Sequence, residues 1–245
     1  MTDGSRVMNA GAGTGVLLAL LVLGSWAAVH VLAVFQLPLQ GYGLVLASVV
    51  IAVQCWLYVG LFIVAHDCMH GSLAPGNPRL NRRLGALCLW LYAAFPWQEL
   101  RAAHFDHHRY VGTADDPDFD AAHPTAFLPW YVHFMWRYAG WRQPAFFGTV
   151  MGSYVLILGV SPANALLFIA LPALLSSMQL FYFGTYRPHR HEATPFADRH
   201  NSRSSGYSWL LSLLSCFHFG YHHAHHLHPG VPWWQLPRVQ GRTGA

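Results

Sequence analysis

The chain has 245 residues, 54% of them hydrophobic and only 10% charged, whereas soluble globular chains carry about 25% charged residues. Its formal net charge is +4 with histidine neutral, and every basic residue is an arginine. That balance argues against an ordinary water-soluble domain, places the protein in lipid, and leads us to expect no nucleic-acid partner.

No Asp, Glu, Lys or Arg occurs from Val7 to His66, and none from Gln143 to Tyr186. Each stretch has room for roughly two spans of about 20 residues. Pro38, Gly41 and Gly43 break the first stretch and predict helices over 16–35 and 44–65. This first apolar run is long, with Arg6 the only basic residue ahead of it, so it does not read as a cleavable signal peptide. Two shorter apolar runs, 84–97 and 207–219, fall below spanning length and are expected to be re-entrant or interfacial. Segment 127–141, rich in Trp and Tyr with Arg137 inside it and Arg142 just after it, suits the headgroup region. The second charge-free stretch breaks at Gly159 to Pro162, giving helices over 146–158 and 163–183, the latter kinked at Pro172.

The expected fold is an all-α integral membrane protein with four transmembrane helices in two hairpins, re-entrant or interfacial helices, and a cytoplasmic cap carrying two metals. Residues 1–245 are read as one domain. The arginines lie at the N-terminus, between the hairpins and after the second hairpin, so the positive-inside rule puts those segments in the cytoplasm. In a bacterial cell the location is then the inner membrane, with the metal site on its cytoplasmic side.

Three histidine clusters share that side: His66 with His70, His104 with His107 and His108, and His222 with His225 and His226. Residues three and four apart share a helix face, so each cluster is expected to aim its imidazoles at a common centre. Histidines near membrane ends also serve as hydrogen-bonding anchors, but two copies of HxxHH beside an HxxxH point to metal. Eight imidazoles exceed what one ion needs, so two ions are expected. The four cysteines, Cys55, Cys68, Cys88 and Cys216, form no CxxC pair and are assigned to packing. Asp67, Asp106, Asp115, Asp116 and Asp118 are candidates to orient ligand rings through the second ring nitrogen, as is His218. For the aspartates after the second cluster, a solvated acidic turn around Pro117 is the plain alternative.

Iron is the leading metal because attack on an unactivated C–H bond in an apolar substrate calls for a redox metal and O2. A di-zinc hydrolase acting on a lipid ester or amide is the competing reading. A fatty-acyl desaturase or hydroxylase with the same core, and a non-enzymatic histidine-rich metal carrier, complete the alternatives. Trp90, Tyr92, Phe95 and Trp97 are candidates to line a groove through which a membrane-dissolved substrate reaches the metals. No GxGxxG, P-loop or iron–sulfur cysteine pattern is present, so electrons must come from outside. Arg79, Arg82, Arg83 and Arg101 are read first as topological anchors on anionic lipid and, alternatively, as a docking surface for an acidic partner.

The segments HDCMHGSL from His66, CLWLYAAFPW from Cys88, HFDHHRYVGTADDPDFD from His104, FGTYRPHR from Phe183, DRHNSRSS from Asp198 and CFHFGYHHAHHLHPGVPWWQLP from Cys216 resemble the bacterial β-carotene ketolases over about residues 61–237. That family lies within the wider membrane fatty acid desaturase and hydroxylase superfamily. The resemblance implies a di-iron, O2-dependent oxygenase that turns the carbon 4 methylene of a β-ionone ring into a ketone. β-Carotene would give echinenone and canthaxanthin, and zeaxanthin would give astaxanthin, through two hydroxylations and loss of water. The histidine boxes carry over onto His66, His70, His104, His107, His108, His222, His225 and His226 as ligands. The related alkane hydroxylases imply a ninth ligand, for which His189 is the best match and His191, His200 and His218 are rivals. A ferredoxin with its reductase is the implied electron donor. His30, His123 and His133 are expected to stand outside the site.

Overall fold

A computed structural model describes residues 11–243; Arg6 and the two ends of the 1–245 range lie outside the described residues. Among the described residues the regular structure is helical throughout, with no strand. Helix α1, Ala12–Gln36, and helix α2, Tyr42–His70, form the first hairpin. Neither has a wide polar face, as befits helices whose outer surface meets lipid rather than water. Leu17, Leu20, Leu21, Leu44, Val45 and Val49 all project outward from them, and Gly60 of α2 lets the pair close up, since a Cβ there would come within 2.9 Å of Val22 Cγ1 on α1.

Helix α2 runs past the expected end of its apolar stretch and carries His66 and His70 on its last turns, ending at Gly71. Helix α3, Pro78–Ala93, starts earlier than its apolar run because Asn77 caps it, accepting from Leu80 N–H at 3.0 Å, and Pro78 presets its first turn. Asn81 fixes the entry by holding both the N–H and the carbonyl of Ala74. Helix α3 lies close against α2 at Gly85, where a Cβ would overlap the Trp97 ring and come within 2.9 Å of Cys68 Cβ. After the turn at Ala94–Pro96 comes helix α4, Trp97–Tyr110, with three histidines. Helix α5, Phe127–Tyr138, packs Trp130 and Tyr131 against Phe181 and Tyr186.

Helix α6, Arg142–Leu156, and helix α7, Pro162–His189, make the second hairpin. Three helices, α1, α2 and α7, are long and apolar enough to cross a membrane; α6, at 15 residues, is not among them. Helix α6 links α4 to α1. Its start pairs Arg142 with Glu99 at 3.5 Å near the histidines, and Tyr154 near its end donates to or accepts from His30 Nε2 at 2.9 Å on α1. Asn164, at the start of α7, bonds the carbonyls of Ala33, Val34 and Leu37 at the opposite end of α1 from Ala12.

Pro172 does not break α7. The turn before it, Leu166–Ala170, widens to a π-helix, and a second π turn, Tyr182–Tyr186, precedes Pro188. Proline lacks the N–H of the i→i−4 ladder and crowds the carbonyl four residues back, and a π turn relieves both. Helices α8, Trp209–Cys216, and α9, His222–Leu227, follow, then a 3₁₀ turn, Trp233–Gln235, and helix α10, Leu236–Thr243. Helix α8 shows Trp209, Leu210, Leu211 and Leu214 on its outer side, which suits an interfacial helix. All four cysteines are free and buried.

Candidate metal centre

Nine imidazoles gather at one end of the bundle in two groups. His66, His70, His104, His108 and His225 form the first and His107, His189, His222 and His226 the second, and within each group the ligand atoms lie within 4.8 Å of one another. The groups adjoin, with the His108 and His226 rings 4.3 Å apart. Each HxxHH box is divided between the groups, which corrects the expectation that each cluster serves one centre. The reason is helical geometry. At about 100° per residue, His104 and His108 lie about 40° apart while His107 falls about 60° to the other side of His104. His222 and His226 likewise share the second group while His225 crosses to the first.

The second ring nitrogens carry the orienting contacts. His66 Nδ1 lies 3.1 Å from Asp67 Oδ1, whose partner oxygen Oδ2 accepts from Trp233 N–H at 2.8 Å. His107 Nδ1 reaches both oxygens of Asp116 at 2.9 and 3.1 Å, and that carboxylate also accepts from the N–H groups of Gly112 and Asp118. Gly112 adopts φ +70°, a conformation that L side chains rarely take, so the turn presenting its N–H favours glycine. His189 Nδ1 donates to the Asn201 carbonyl at 2.8 Å, and Asn201 Nδ2 donates to Val111 O at the end of α4. A neutral ring whose proton is held at Nδ1 turns the lone pair of Nε2 inward.

Inward, the Nε2 atoms of the nine rings meet one another or no partner. His70 and His104 Nε2 are 2.6 Å apart, His66 and His225 3.2 Å, His108 and His225 3.1 Å, and His222 and His226 3.0 Å. His107 and His189 Nε2 are buried with no hydrogen-bond partner. Converging acceptors without donors are costly in a buried site, and a cation satisfies all of them together. The donor set therefore fits two metal ions, and nitrogen-only ligation suits iron, zinc, copper or nickel.

Burial holds His104, His108, His222, His225 and His226 below the ordinary imidazole pKa, reinforced by the neighbouring histidines, which keeps them neutral and able to ligate. His107 differs. Burial lowers it, but the charges of Asp118 and Asp116 and the Asp116 hydrogen bond raise it overall. Asp116 titrates lower than usual because its bonds to His107, Gly112 and Asp118 outweigh its burial, whereas burial pushes Asp118 up.

Several expected residues stand elsewhere. Asp106 is half exposed and faces Arg109, and Asp115 is exposed at the turn, so neither touches a ligand ring. Asp118 lies 3.8 Å from His107 Nδ1 and accepts from the Tyr138 hydroxyl. His218 is buried among Trp209, Tyr221 and Trp233 and belongs to neither group; burial lowers its pKa to about 4. Of the other rivals for the ninth position, His191 packs on Phe119 and Phe196, and the His200 ring centre lies 6.2 Å from that of His226. His30 sits on Tyr154, His123 on Asp120, and His133 is exposed.

An apolar cavity of about 400 Å³ reaches the histidines, with His66, His104, His107 and His222 in its wall. Its size falls in the range of about 300–1,000 Å³ usual for ligand pockets. Tyr92 and Phe95 line it, but Trp90 and Trp97 do not. Trp90 lies on the outer face of α3, 58% exposed, and Trp97 is wedged over Gly85. Phe62, Phe134, Phe147, Leu180 and Phe219 complete much of the wall, and Phe219 also packs on His66, His222 and His225. Leu174, 52% exposed, lies at the rim. Sequence reasoning missed Tyr138, Asn201, Phe219 and the Trp233 N–H. Two of these act through the backbone, which leaves no side-chain signal.

The fatty acid desaturase family model matches residues 40–154 and 136–244. A β-carotene ketolase of Paracoccus sp. (strain PC1) is 47% identical over 245 residues, covering 100% of this chain and 96% of that protein. The chain belongs to the β-carotene ketolases of the fatty acid desaturase family. A second family member, the β-carotene ketolase of Paracoccus sp. (strain N81106 / MBIC 01143), is 48% identical over 91% of both chains. A zeaxanthin 4-ketolase of Chlamydomonas reinhardtii is 42% identical over 76% of this chain and 42% of its own length. Membership favours the ketolase reading over the hydrolase and the metal carrier, and gives the desaturase alternative no better support.

Proposed function

We propose that this protein is a membrane di-iron ketolase that oxidises the carbon 4 methylene of a β-ionone ring to a ketone, taking β-carotene to echinenone and canthaxanthin and accepting zeaxanthin to give astaxanthin. The observation that carries this reading is the pairing of two all-imidazole groups with an apolar cavity opening directly onto them. The relatives named for this chemistry match essentially the whole chain.

His66, His70, His104, His108 and His225 hold one iron and His107, His189, His222 and His226 the other. Asp67, Asp116 and the Asn201 carbonyl hold three of these rings in the ligating tautomer. Bound iron supplies the redox chemistry that reduces O2 with external electrons and breaks an unactivated C–H bond. The cavity does the rest. Tyr92, Phe95, Phe134 and Phe219 clasp the ring end group and exclude water, and orientation against the histidine wall selects carbon 4. Each of two hydroxylations consumes one O2, two electrons and two protons and releases one water. The resulting geminal diol loses a further water to give the ketone.

The proposal includes four passes through the inner membrane within one domain, with α6 as the short pass. Fifteen residues rise about 22 Å, against an apolar bilayer thickness of about 30 Å, so the exposed Trp141, Ile157 and Leu158 beyond its ends extend its apolar surface and local thinning of the bilayer takes up the remainder. The histidine end faces the cytoplasm, and the carotenoid enters sideways past Leu174. The exposed Arg79, Arg82, Arg83 and Arg101 receive the electron donor, a ferredoxin served by its reductase. Expression in cells that make β-carotene tests the activity. Echinenone and canthaxanthin should accumulate in extracts separated by chromatography, whereas unchanged carotenoids with altered acyl chains would assign a desaturase or hydroxylase instead.

A further inference from the structure

The end of α7 has two sides. His189 turns toward the second histidine group, while Arg187 and Arg190 on either side border a separate polar pocket of about 130 Å³. Arg203, Glu192, Ser204 and Ser205 also line it, so three guanidinium groups face one carboxylate. Glu192 is already engaged, 2.6 Å from Arg190 and 4.0 Å from Arg203. Arg203 is held in place by donating to the carbonyls of Arg190 and Thr194, and Arg187 by donating to the Tyr207 hydroxyl at 2.5 Å. A guanidinium has five N–H donors, so each retains donors for a ligand.

Ser205 supplies the second observation. It is only 5% exposed, its N–H donates to the Gly220 carbonyl, and its buried Oγ has no hydrogen-bond partner although it lies in the pocket wall. Buried hydroxyls are nearly always partnered, and an anionic oxygen in this pocket would provide the partner. The surplus of positive charge and the forked donors match a phosphate group, which guanidinium binds bidentately. The surroundings favour lipid as its source. Phe183 stands at the pocket, its ring 6.3 Å from Tyr207, and the outward apolar residues of α8 begin two residues after Tyr207 at Trp209.

We propose that this pocket binds the phosphate of an anionic phospholipid headgroup, bracing the end of α7 that carries His189. The test uses the full-length protein released in detergent, with native mass spectrometry against added phosphatidylglycerol, phosphatidylcholine and inorganic phosphate. Wild type should retain one phosphatidylglycerol in preference to phosphatidylcholine, and Arg187→Gln and Ser205→Ala should each weaken that retention by about tenfold, the cost of one lost bond to a charged group. Ser205→Ala removes only an unpartnered hydroxyl, so its thermal unfolding should match wild type and exclude misfolding. Arg238→Gln, an exposed arginine that does not line the pocket, should leave retention unchanged. Binding of inorganic phosphate without phosphatidylglycerol would overturn the lipid assignment. Equal retention in wild type, Arg187→Gln and Ser205→Ala would overturn the site. Because the readout needs no carotenoid turnover, it fails or succeeds independently of the ketolase reading.

Discussion

Replacing Asp116 with Asn isolates what the carboxylate does for the second histidine group. Asp116 is 4% exposed and accepts four contacts: two from His107 Nδ1 at 2.9 and 3.1 Å, one from Gly112 N–H at 2.8 Å and one from Asp118 N–H at 2.9 Å. An amide has one accepting oxygen, so its NH2 must confront the N–H of Gly112 or of Asp118 whichever way it turns, and His107 keeps a single neutral acceptor. The His107 bond falls from about 1.5–3 kcal/mol, for a charged acceptor, to about 0.5–1.5 kcal/mol. The difference is about tenfold in metal affinity, at the lower end of the roughly 10–100-fold cost usual for partners behind a ligand ring. Asp116→Asn should therefore lose metal from the second group at about a tenth of the chelator concentration that wild type withstands, read by elemental analysis after graded dialysis, with ketone formation falling in parallel. Asp106→Asn and Asp115→Asn touch no ligand ring and should match wild type. Wild-type metal retention in Asp116→Asn, or equal loss in Asp106→Asn, would refute the orienting role.

His189→Ala leaves the second group with three imidazoles, so purified protein should fall from two metal ions toward one per chain while His200→Ala and His218→Ala keep both. Burial depresses His104, His222, His225 and His226 below the ordinary value of about 6.5. Below about pH 6.5 the unfolded chain then binds more protons than the folded one, so metal retention and thermal stability should be full above that pH and decline as it falls. Melting in graded buffers checks the direction, and stability that rises on acidification would contradict it. Leu174→Trp adds bulk at the rim, where the side chain is 52% exposed, and should slow turnover about tenfold through substrate entry while leaving the melting temperature unchanged. Trp90→Ala, on the outer face of α3, should leave turnover intact.

Charge-free stretches made the three long apolar helices α1, α2 and α7 readable, because lipid forbids charge over about 20 residues and Pro or Gly marks the returns. Helix ends were less legible. Helix α2 continues through His66 and His70 because Gly71, in the left-handed conformation, caps it there, a stop that hydropathy does not register. The widened turns ahead of Pro172 and Pro188 left no trace beyond the prolines themselves. The histidine spacing pointed to candidate metal ligands but not to the division of each HxxHH box, which depends on how α4 and α9 are rotated against each other. Trp90 and Trp97 were chosen for the groove by aromatic character alone. The spacing of Gly85, Cys88, Leu89 and Tyr92 marks the inner face of α3 and excludes Trp90. Likewise Asp106, two residues after His104, falls well round the helix from it, a position that spacing alone predicts.

The proposed chemistry requires two irons, held by five and four imidazoles, that act together at the end of the apolar cavity. Mössbauer spectroscopy of iron-57-labelled protein, combined with elemental analysis and carotenoid product analysis on the same preparation, tests it most directly. Two irons per chain are expected, magnetically coupled as a pair, with ketone yield proportional to iron content. One isolated iron per chain, or a pair of zinc ions in protein that still makes ketocarotenoid, would contradict it.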